Sequence, residues 1–155
     1  MIARLHRTCE LCTGDGGTVL WRDGQLRVVA VDEPDYPGFL RVIWNEHVRE
    51  WTDLPAPARA RLLQVLALVE KGVREVMLPH KMNLASLGNL TPHLHWHVIP
   101  RYADDAHYPQ PIWGTRQREA PAAALAQRRA AAAGLPELLG PALDVAARGA
   151  VPPCD

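Results

Sequence analysis

The first third of the chain carries three short apolar stretches separated by turn residues. Residues 18–22 run into Asp23-Gly24, a pair typical of a tight hairpin turn, and residues 25–31 would form the returning strand. Residues 39–44 are apolar and partly β-branched, as expected of a buried strand. The pattern predicts three antiparallel strands before the first long helix.

A helical period replaces the strand pattern in the middle of the chain. Capping side chains at Thr52-Asp53, followed by Pro55, favour a helix start, and Pro79 should end the helix near Met77. Apolar side chains three or four positions apart give this helix one buried face. They are Leu62, Leu63, Leu66, Val69, Val73 and Val76.

Two further strands and an alanine-rich region complete the pattern. Strands are predicted at residues 81–87 and 94–100, and a helix at 122–133 on alanine propensity, before a break at Gly134-Leu135-Pro136. The expected fold class is α+β: an antiparallel sheet of about five strands, one long helix and a C-terminal Ala-rich helix. We expect the chemistry in a domain spanning residues 1–118, with 119–155 as an Ala- and Pro-rich appendage.

Composition excludes several classes of protein. Of the 155 residues, 48% are hydrophobic and 22% charged, which argues against overall disorder. Lys plus Arg and Asp plus Glu both number 17, so no net charge would attract nucleic acid or an anionic membrane. No apolar run approaches the ~18 residues of a membrane span. Cys9, Cys12 and a tail thiol at Cys154 make no disulfide framework, and a reducing, cytoplasmic location is expected.

Three histidines alternate with apolar residues in the last predicted strand. At strand period, His93, His95 and His97 share one face, while the residues between them point to the core. Three neighbouring imidazoles would repel one another if charged, so a functional role for the run is favoured over chance. The Cα atoms of His93 and His97 lie about 13 Å apart along a strand. This is too far for both to bind one tetrahedral metal together with His95. At most two neighbours can chelate one ion.

Residues 92–101, Pro-His-Leu-His-Trp-His-Val-Ile-Pro-Arg, resemble the signature of the histidine triad (HIT) hydrolases and transferases. Residues 83–89, Asn-Leu-Ala-Ser-Leu-Gly-Asn, are similar to the approach to that signature. The resemblance implies a HIT-like fold, a homodimer whose sheets join, and a nucleotide-derived small-molecule substrate such as a dinucleoside polyphosphate or an adenylylated small molecule. In that family a histidine attacks the α-phosphate, and water hydrolyses the resulting nucleotidyl-histidine.

The same resemblance implies roles for individual residues. His95 would be the nucleophile, since a neutral imidazole needs no further base when its other nitrogen donates to an acceptor. His97 would donate to phosphoryl oxygens and help to protonate the leaving group. Asn83 and Asn89 would contact phosphate or ribose, and Asp32 would accept from the ribose hydroxyls. Turn formation is the alternative role for these three.

Leu90 departs from the family pattern. Many members carry Ser or Thr at this position, and leucine cannot donate a hydrogen bond, which weakens the expected stabilisation of the leaving group. The acidic and aromatic stretch 104–113 is expected near the site or near a partner subunit.

Cys9 and Cys12 form a Cys-x-x-Cys pair, which alone indicates a redox pair, half of a zinc site or coincidence. Zinc with four protein ligands needs two more, and His47 and His93 are candidates, the latter because the histidine run leaves one member spare. In HIT proteins with an N-terminal cysteine pair, histidines at these positions resemble the rest of a Cys2His2 site. Four protein ligands leave no open position, so such a zinc would be structural.

Two rival functions stay open at this point. One is a zinc-dependent hydrolase in which two strand histidines hold a catalytic metal. The other is a non-catalytic, zinc-stabilised module that binds a nucleotide or a partner. Activity that is lost and regained with zinc on an intact fold would favour the first, and the absence of both turnover and a nucleotide adduct would favour the second.

Overall fold

The computed structural model describes residues 6–149, and within them five strands form one antiparallel sheet. The elements are α1 (Glu10–Thr13), β1 (Thr18–Arg22), β2 (Leu26–Ala30), β3 (Leu40–Trp44), a 3-10 turn (Trp51–Asp53), α2 (Ala56–Met77), β4 (Lys81–Ala85), β5 (His95–Arg101), α3 (Ala122–Ala132) and α4 (Leu135–Arg148). The strand order is β1-β2-β3-β5-β4. The predicted α+β class with five antiparallel strands is confirmed. Cys154 lies outside the described residues.

Helix α2 forms where its apolar period predicts it. Pro55 occupies the N-cap with extended backbone and no capping side chain. Asp53, expected as a cap for this helix, instead accepts a hydrogen bond from the backbone of Glu50 in the preceding turn. At the other end Leu78 adopts a left-handed conformation (φ 47°) and its N–H bonds to the carbonyl of Arg74. No helix within residues 6–149 is long and apolar enough to cross a membrane.

The two faces of the sheet have different surroundings. One face packs on α2 and forms the main core, to which α2 contributes most of the predicted apolar stripe. The prediction was wrong for Leu63, which is 49% exposed, and Val65 is buried instead. Because strand side chains alternate, Arg41 and Ile43 of β3 lie on the opposite face, together with His95 and His97 of β5. The strand residues of the main core include Leu26, Val28, Leu40, Val42 and Val98. The histidine face of the sheet is therefore separate from its hydrophobic core.

The C-terminal segment also contributes to the main core. Leu135, Leu139 and Leu143 are one turn apart on α4, are at most 2% exposed and pack in the cluster that contains α2. Trp21 Nε1 of β1 donates to Asp144 at 2.9 Å. Helix α4 was not expected, because Gly134-Leu135-Pro136 is typical of a break, although a proline is tolerated in the first turn of a helix. A separate appendage from residue 119 stays a prediction.

Candidate active site and metal centre

The start of β5 divides the histidine run. His95 and His97 are the first and third residues of the strand, and their ring centroids lie 4.8 Å apart. His93 precedes the strand, and its ring lies 5.1 Å from that of His47. All three histidines of the run are at most 7% exposed. The run thus contributes to two neighbouring sites.

A backbone hydrogen bond fixes the tautomer of His95. Its Nδ1 lies 2.6 Å from the carbonyl oxygen of His93, and because a carbonyl only accepts, Nδ1 carries the proton. Burial lowers the pKa of His95, while the bond to the His93 carbonyl acts in the opposite direction. Nε2 therefore keeps its lone pair at neutral pH, as a nucleophilic imidazole requires.

His97 is neutral for a similar reason. Burial, followed by the charges of His95 and Arg41, lowers the pKa of His97 to about 3. Its ring contacts Phe39 and Trp113, at centroid distances of 5.6 and 4.9 Å. Its Nδ1 is buried and has no hydrogen-bond partner within residues 6–149. A neutral His97 can donate one hydrogen bond but has no extra proton to give at neutral pH.

His95 and His97 line a cavity of about 540 Å³. This volume lies in the range of roughly 300–1,000 Å³ that suits a small-molecule ligand. The loop before β5 lines it with Gly88, Leu90 and Thr91, where Gly88 has φ 88° and permits the turn. Trp113, from the stretch expected near the site, also lines it. The cavity therefore brings together the two strand histidines and the loop that precedes them.

The three predicted nucleotide contacts lie in different places. Asn89 is exposed and lines the cavity of His95 and His97. Asn83 on β4 lines a neighbouring cavity, and its Oδ1 accepts a hydrogen bond from Arg101 at 2.7 Å. Asp32 is exposed in the loop after β2 and does not line the histidine cavity. Of the three, Asn89 alone lines the same cavity as the histidines, and the roles of all three stay predictions.

Cys9, Cys12, His47 and His93 come together around α1, and their four candidate ligand atoms lie within 4.8 Å of one another. His93 Nδ1 is 3.4 Å from Cys9 Sγ and 3.5 Å from Cys12 Sγ, and His47 Nδ1 is 3.2 Å from Cys12 Sγ. Tetrahedral zinc, with bonds of about 2.0–2.3 Å, places neighbouring ligand atoms roughly 3.3–3.8 Å apart. The residues present therefore fit a zinc ion.

The protonation of His93 suits a metal ligand. Its Nε2 donates to the carbonyl oxygen of Trp44 at 2.6 Å, which leaves the Nδ1 lone pair on the side of the cysteines. Burial lowers the pKa of both His93 and His47 and so favours the neutral forms that bind metals. Burial raises the pKa of the Cys12 thiol, an effect that a bound cation would oppose.

Two charged residues of the cavity were not found from the sequence. Arg41 lies directly across from His97 in the β3–β5 register. The sequence does contain an indication of this residue, because Arg41 is the one charged residue in the apolar stretch 39–44. A charge in a buried strand needs a partner or a ligand. Glu10 lies between the two cysteines and accepts a hydrogen bond from the Thr91 hydroxyl at 2.5 Å. No pattern in the sequence indicated that contact.

The fold and the site define a small α+β protein with a histidine centre on an inner strand of an antiparallel sheet. The model of the HIT domain matches residues 16–104, more than half of the chain, and the chain belongs to this family. The AP-4-A phosphorylases of two Mycobacterium tuberculosis strains are 32% identical to it over 106 residues, which is 64% of this chain and 54% of theirs. The chain thus spans about half the length of the curated relatives it matches.

Solved structures of histidine triad proteins share the fold. The protein from Bradyrhizobium japonicum is 28% identical with a TM-score of 0.66, covering 81% of this chain and 92% of that one. The protein from Marinobacter aquaeolei is 27% identical with a TM-score of 0.66, covering 90% and 100%. A zinc-bound family member from Mycobacterium smegmatis is 23% identical with a TM-score of 0.54, covering 84% and 96%, which shows a common fold alone. The predicted HIT-like fold is confirmed.

Proposed function

We propose that this chain is an enzyme that transfers or hydrolyses nucleotidyl groups at the α-phosphate, through a covalent nucleotidyl-histidine on His95. The observation that carries the proposal is the fixed tautomer of His95, whose Nδ1–H is held by the His93 carbonyl. Its Nε2 lone pair is available in a cavity large enough for a small molecule. Membership of the HIT domain family and the likeness to proteins named AP-4-A phosphorylase support a nucleotide as the ligand.

The reaction follows from the chemistry of a neutral imidazole. The Nε2 lone pair of His95 attacks the α-phosphorus, a P–N bond forms, and the bond from phosphorus to the leaving group breaks. The ring becomes positively charged, and the His93 carbonyl stabilises that charge through Nδ1–H. A water molecule then attacks phosphorus, the P–N bond breaks, and the electron pair returns to Nε2. The water contributes hydroxide to the nucleoside monophosphate, and its second proton goes to the leaving group or to solvent.

We assign His97 the task of donating a hydrogen bond to a phosphoryl oxygen. Because its pKa is lowered to about 3, it is uncharged at neutral pH and unsuited to supply a proton to the leaving group. Its ring lies 4.8 Å from that of His95, near enough for both to face one phosphate. Hydrogen bonding thus has more support than proton donation, the other role expected for this residue.

We further propose that Cys9, Cys12, His47 and His93 hold a structural zinc. The proposal rests on the mutual distances of their ligand atoms and on the free Nδ1 lone pair of His93. When bound, the ion would supply structural cross-linking of α1 to the segment before β5. The zinc-dependent hydrolase has less support, because His93 is the one member of the run in the cluster of described residues.

The leaving group distinguishes the candidate substrates, and the acceptor distinguishes hydrolysis from transfer to inorganic phosphate. AP-4-A and other dinucleoside polyphosphates are candidates because of the relatives' name, and adenylylated small molecules are candidates because the cavity is of small-molecule size. A phosphorylase uses inorganic phosphate in place of water as the acceptor. Turnover should therefore be measured with each substrate class both with and without inorganic phosphate.

The test is His95→Ala, with His80→Ala as a matched control, because His80 is an exposed histidine outside the cavity. We expect His95→Ala to lose turnover by about a thousandfold or more. Nucleotide affinity and zinc content should change little, since His95 binds neither the base nor the metal in this proposal. Denaturing mass spectrometry of quenched wild-type and His80→Ala reactions should give a nucleotidyl adduct on the peptide that contains residue 95.

Other results would support the rival functions. An adduct on a different residue, or full turnover by His95→Ala, would refute the nucleophile. Activity that disappears on chelation and returns with zinc, with an unchanged fold and no adduct, would indicate a metal-dependent hydrolase. Nucleotide binding without turnover or adduct, for every substrate and acceptor, would indicate a binding module.

A homodimer and a cytoplasmic location belong to the same proposal. Support for a dimer comes from β4, which lies at the edge of the sheet and could pair with the same strand of a second copy. Its Leu84 is 43% exposed. Light scattering on the purified chain should give twice the chain mass, and a single-chain mass would contradict the dimer.

A further inference from the structure

The inner strands β2, β3 and β5 place three arginines on the histidine face of the sheet, and two of them are fully engaged within the fold. Arg27 donates to the backbone carbonyls of Leu11 at 2.6 Å and Asp15 at 2.9 Å. Arg101 is 2% exposed and donates to both carboxylate oxygens of Asp105, at 2.7 and 3.0 Å. These two side chains stabilise loops and strands, and their N–H groups have acceptors within the fold.

Arg41 is the third, and its bonding is incomplete. One guanidinium N–H donates to the carbonyl of Gly16 at 3.2 Å, while Nε is buried and has no partner within residues 6–149. A buried charged donor without an acceptor is costly. Because Arg41 lines the same cavity as His95 and His97, a ligand in that cavity can supply the missing acceptor.

Phe39 lies beside both the Arg41 guanidinium and the His97 imidazole. The Phe39 ring is 3% exposed, and its centroid is 5.8 Å from Arg41 Cζ and 5.6 Å from the His97 ring. Arg41 and His97 are also directly paired in the β3–β5 register. The guanidinium and the imidazole are therefore held side by side, each with one unpaired buried nitrogen.

The charge balance of the cavity requires a cation if it binds phosphate. Among the described residues that line it, Arg41 is the one arginine or lysine, and His97 is neutral because its pKa is about 3. Burial lowers the pKa of Arg41 as well, but arginine starts so high that it stays charged at neutral pH. Glu10, the one carboxylate of the lining, is exposed and bonded to Thr91.

We infer that Arg41 is a phosphate-binding residue, whose unpaired Nε donates to a phosphoryl oxygen of the bound nucleotide beside His97. The inference rests on the proposed function, since it takes the ligand of the cavity to be a nucleotide. It identifies the source of positive charge in a cavity where Leu90 offers no polar donor. The ligand feature that Arg41 recognises is the phosphoryl group, and neither the base nor the ribose.

The experiment compares a nucleotide with its uncharged parent nucleoside. Calorimetry first identifies which of AMP, GMP, CMP and UMP binds wild type most tightly, and that nucleotide and its nucleoside are then titrated into Arg41→Met, Arg41→Lys and Arg74→Ala. Methionine keeps much of the volume and removes the charge, and lysine keeps the charge. Arg74 is an exposed arginine on α2 and controls for the loss of one positive charge.

We expect Arg41→Met to weaken nucleotide binding roughly 10- to 100-fold, the effect of losing a hydrogen bond to a charged group. Nucleoside binding should be unchanged, Arg41→Lys should recover part of the loss, and Arg74→Ala should resemble wild type. Equal losses for nucleotide and nucleoside in Arg41→Met, or no loss for either, would overturn the assignment while leaving the nucleophile intact. If no nucleotide bound to wild type, both this assignment and the proposed function would fail.

Discussion

His95 Nδ1 donates a hydrogen bond of 2.6 Å to the backbone carbonyl of His93. The imidazole ring of His93 faces Cys9 and Cys12. One residue therefore contributes its side chain to the metal cluster and its backbone to the tautomer of the proposed nucleophile. The His93 ring is fixed on its other side by the carbonyl of Trp44 at 2.6 Å. Loss of the metal should therefore shift the His93 backbone and, with it, the orientation of the His95 ring. The metal itself should take no part in the reaction at His95.

Cys12→Ser tests this connection. Serine is a poor zinc ligand, so we expect zinc to fall from about one ion per chain to a small fraction of that. Turnover should fall about 10- to 100-fold and not vanish, the usual effect of disturbing a group that orients another. Metal analysis, thermal unfolding and turnover are measured on the same preparation.

Thr13→Ser is the matched control, because Thr13 is exposed, follows the cluster directly and contributes no ligand atom. It should keep zinc and turnover. Complete loss of activity in Cys12→Ser, with a melting temperature equal to that of wild type, would contradict a purely structural metal.

The buried pair Arg101–Asp105 predicts a stability change in acid. Burial raises the pKa of Asp105, but hydrogen bonds from Arg101 and from backbone N–H groups outweigh it and lower that pKa from 3.8 to about 2. A carboxyl whose folded-state pKa lies below its unfolded value stabilises the fold above the unfolded pKa and loses that contribution as the pH falls. The contribution is about 2 kcal/mol above pH 5 and should decline between about pH 4 and pH 2.

Urea unfolding of wild type and Asp105→Asn as a function of pH measures this contribution. The difference between their free energies of unfolding should shrink on going from neutral pH to about pH 2. Asp104→Asn is the control, since Asp104 is 44% exposed and its bond to Arg128 is only partly buried. A wild-type to Asp105→Asn difference that does not depend on pH would show that Asp105 is not ionised in the fold.

Local pattern was sufficient for the sheet and for α2, because both have one apolar face with a regular period. The sequence also led to His93, since strand geometry left one histidine of the run spare for Cys9 and Cys12. It could not reveal that β5 begins at His95. That boundary depends on the backbone contacts of the segment just before the strand. Nor could it place Arg41 beside His97, because that pairing depends on which strands are neighbours in the sheet.

Helix α4 was missed because its stability comes from tertiary packing. Leu139 is 1% exposed and lies against Gly72 of α2, whereas its neighbour Leu138 is 39% exposed. Leu139→Ala should lower the free energy of unfolding by about 2–4 kcal/mol through the cavity it leaves. Leu138→Ala should cost less than about 1 kcal/mol. Equal and small effects in urea unfolding would show that α4 is not part of the cooperative unit.

Leu90 allows a test of the leaving-group side of the cavity. It is 99% exposed and lines the cavity, so its replacement removes almost no buried apolar surface and should leave the free energy of unfolding within about 0.5 kcal/mol. Leu90→Ser introduces a hydroxyl that can donate to a departing oxygen or nitrogen. We expect kcat to rise severalfold for substrates with a poor leaving group and to change little for those with a good one.

Leu90→Ala shortens the side chain without a hydroxyl and is the control. If Leu90→Ala raises kcat as much as Leu90→Ser, steric relief and not hydrogen bonding accounts for the gain.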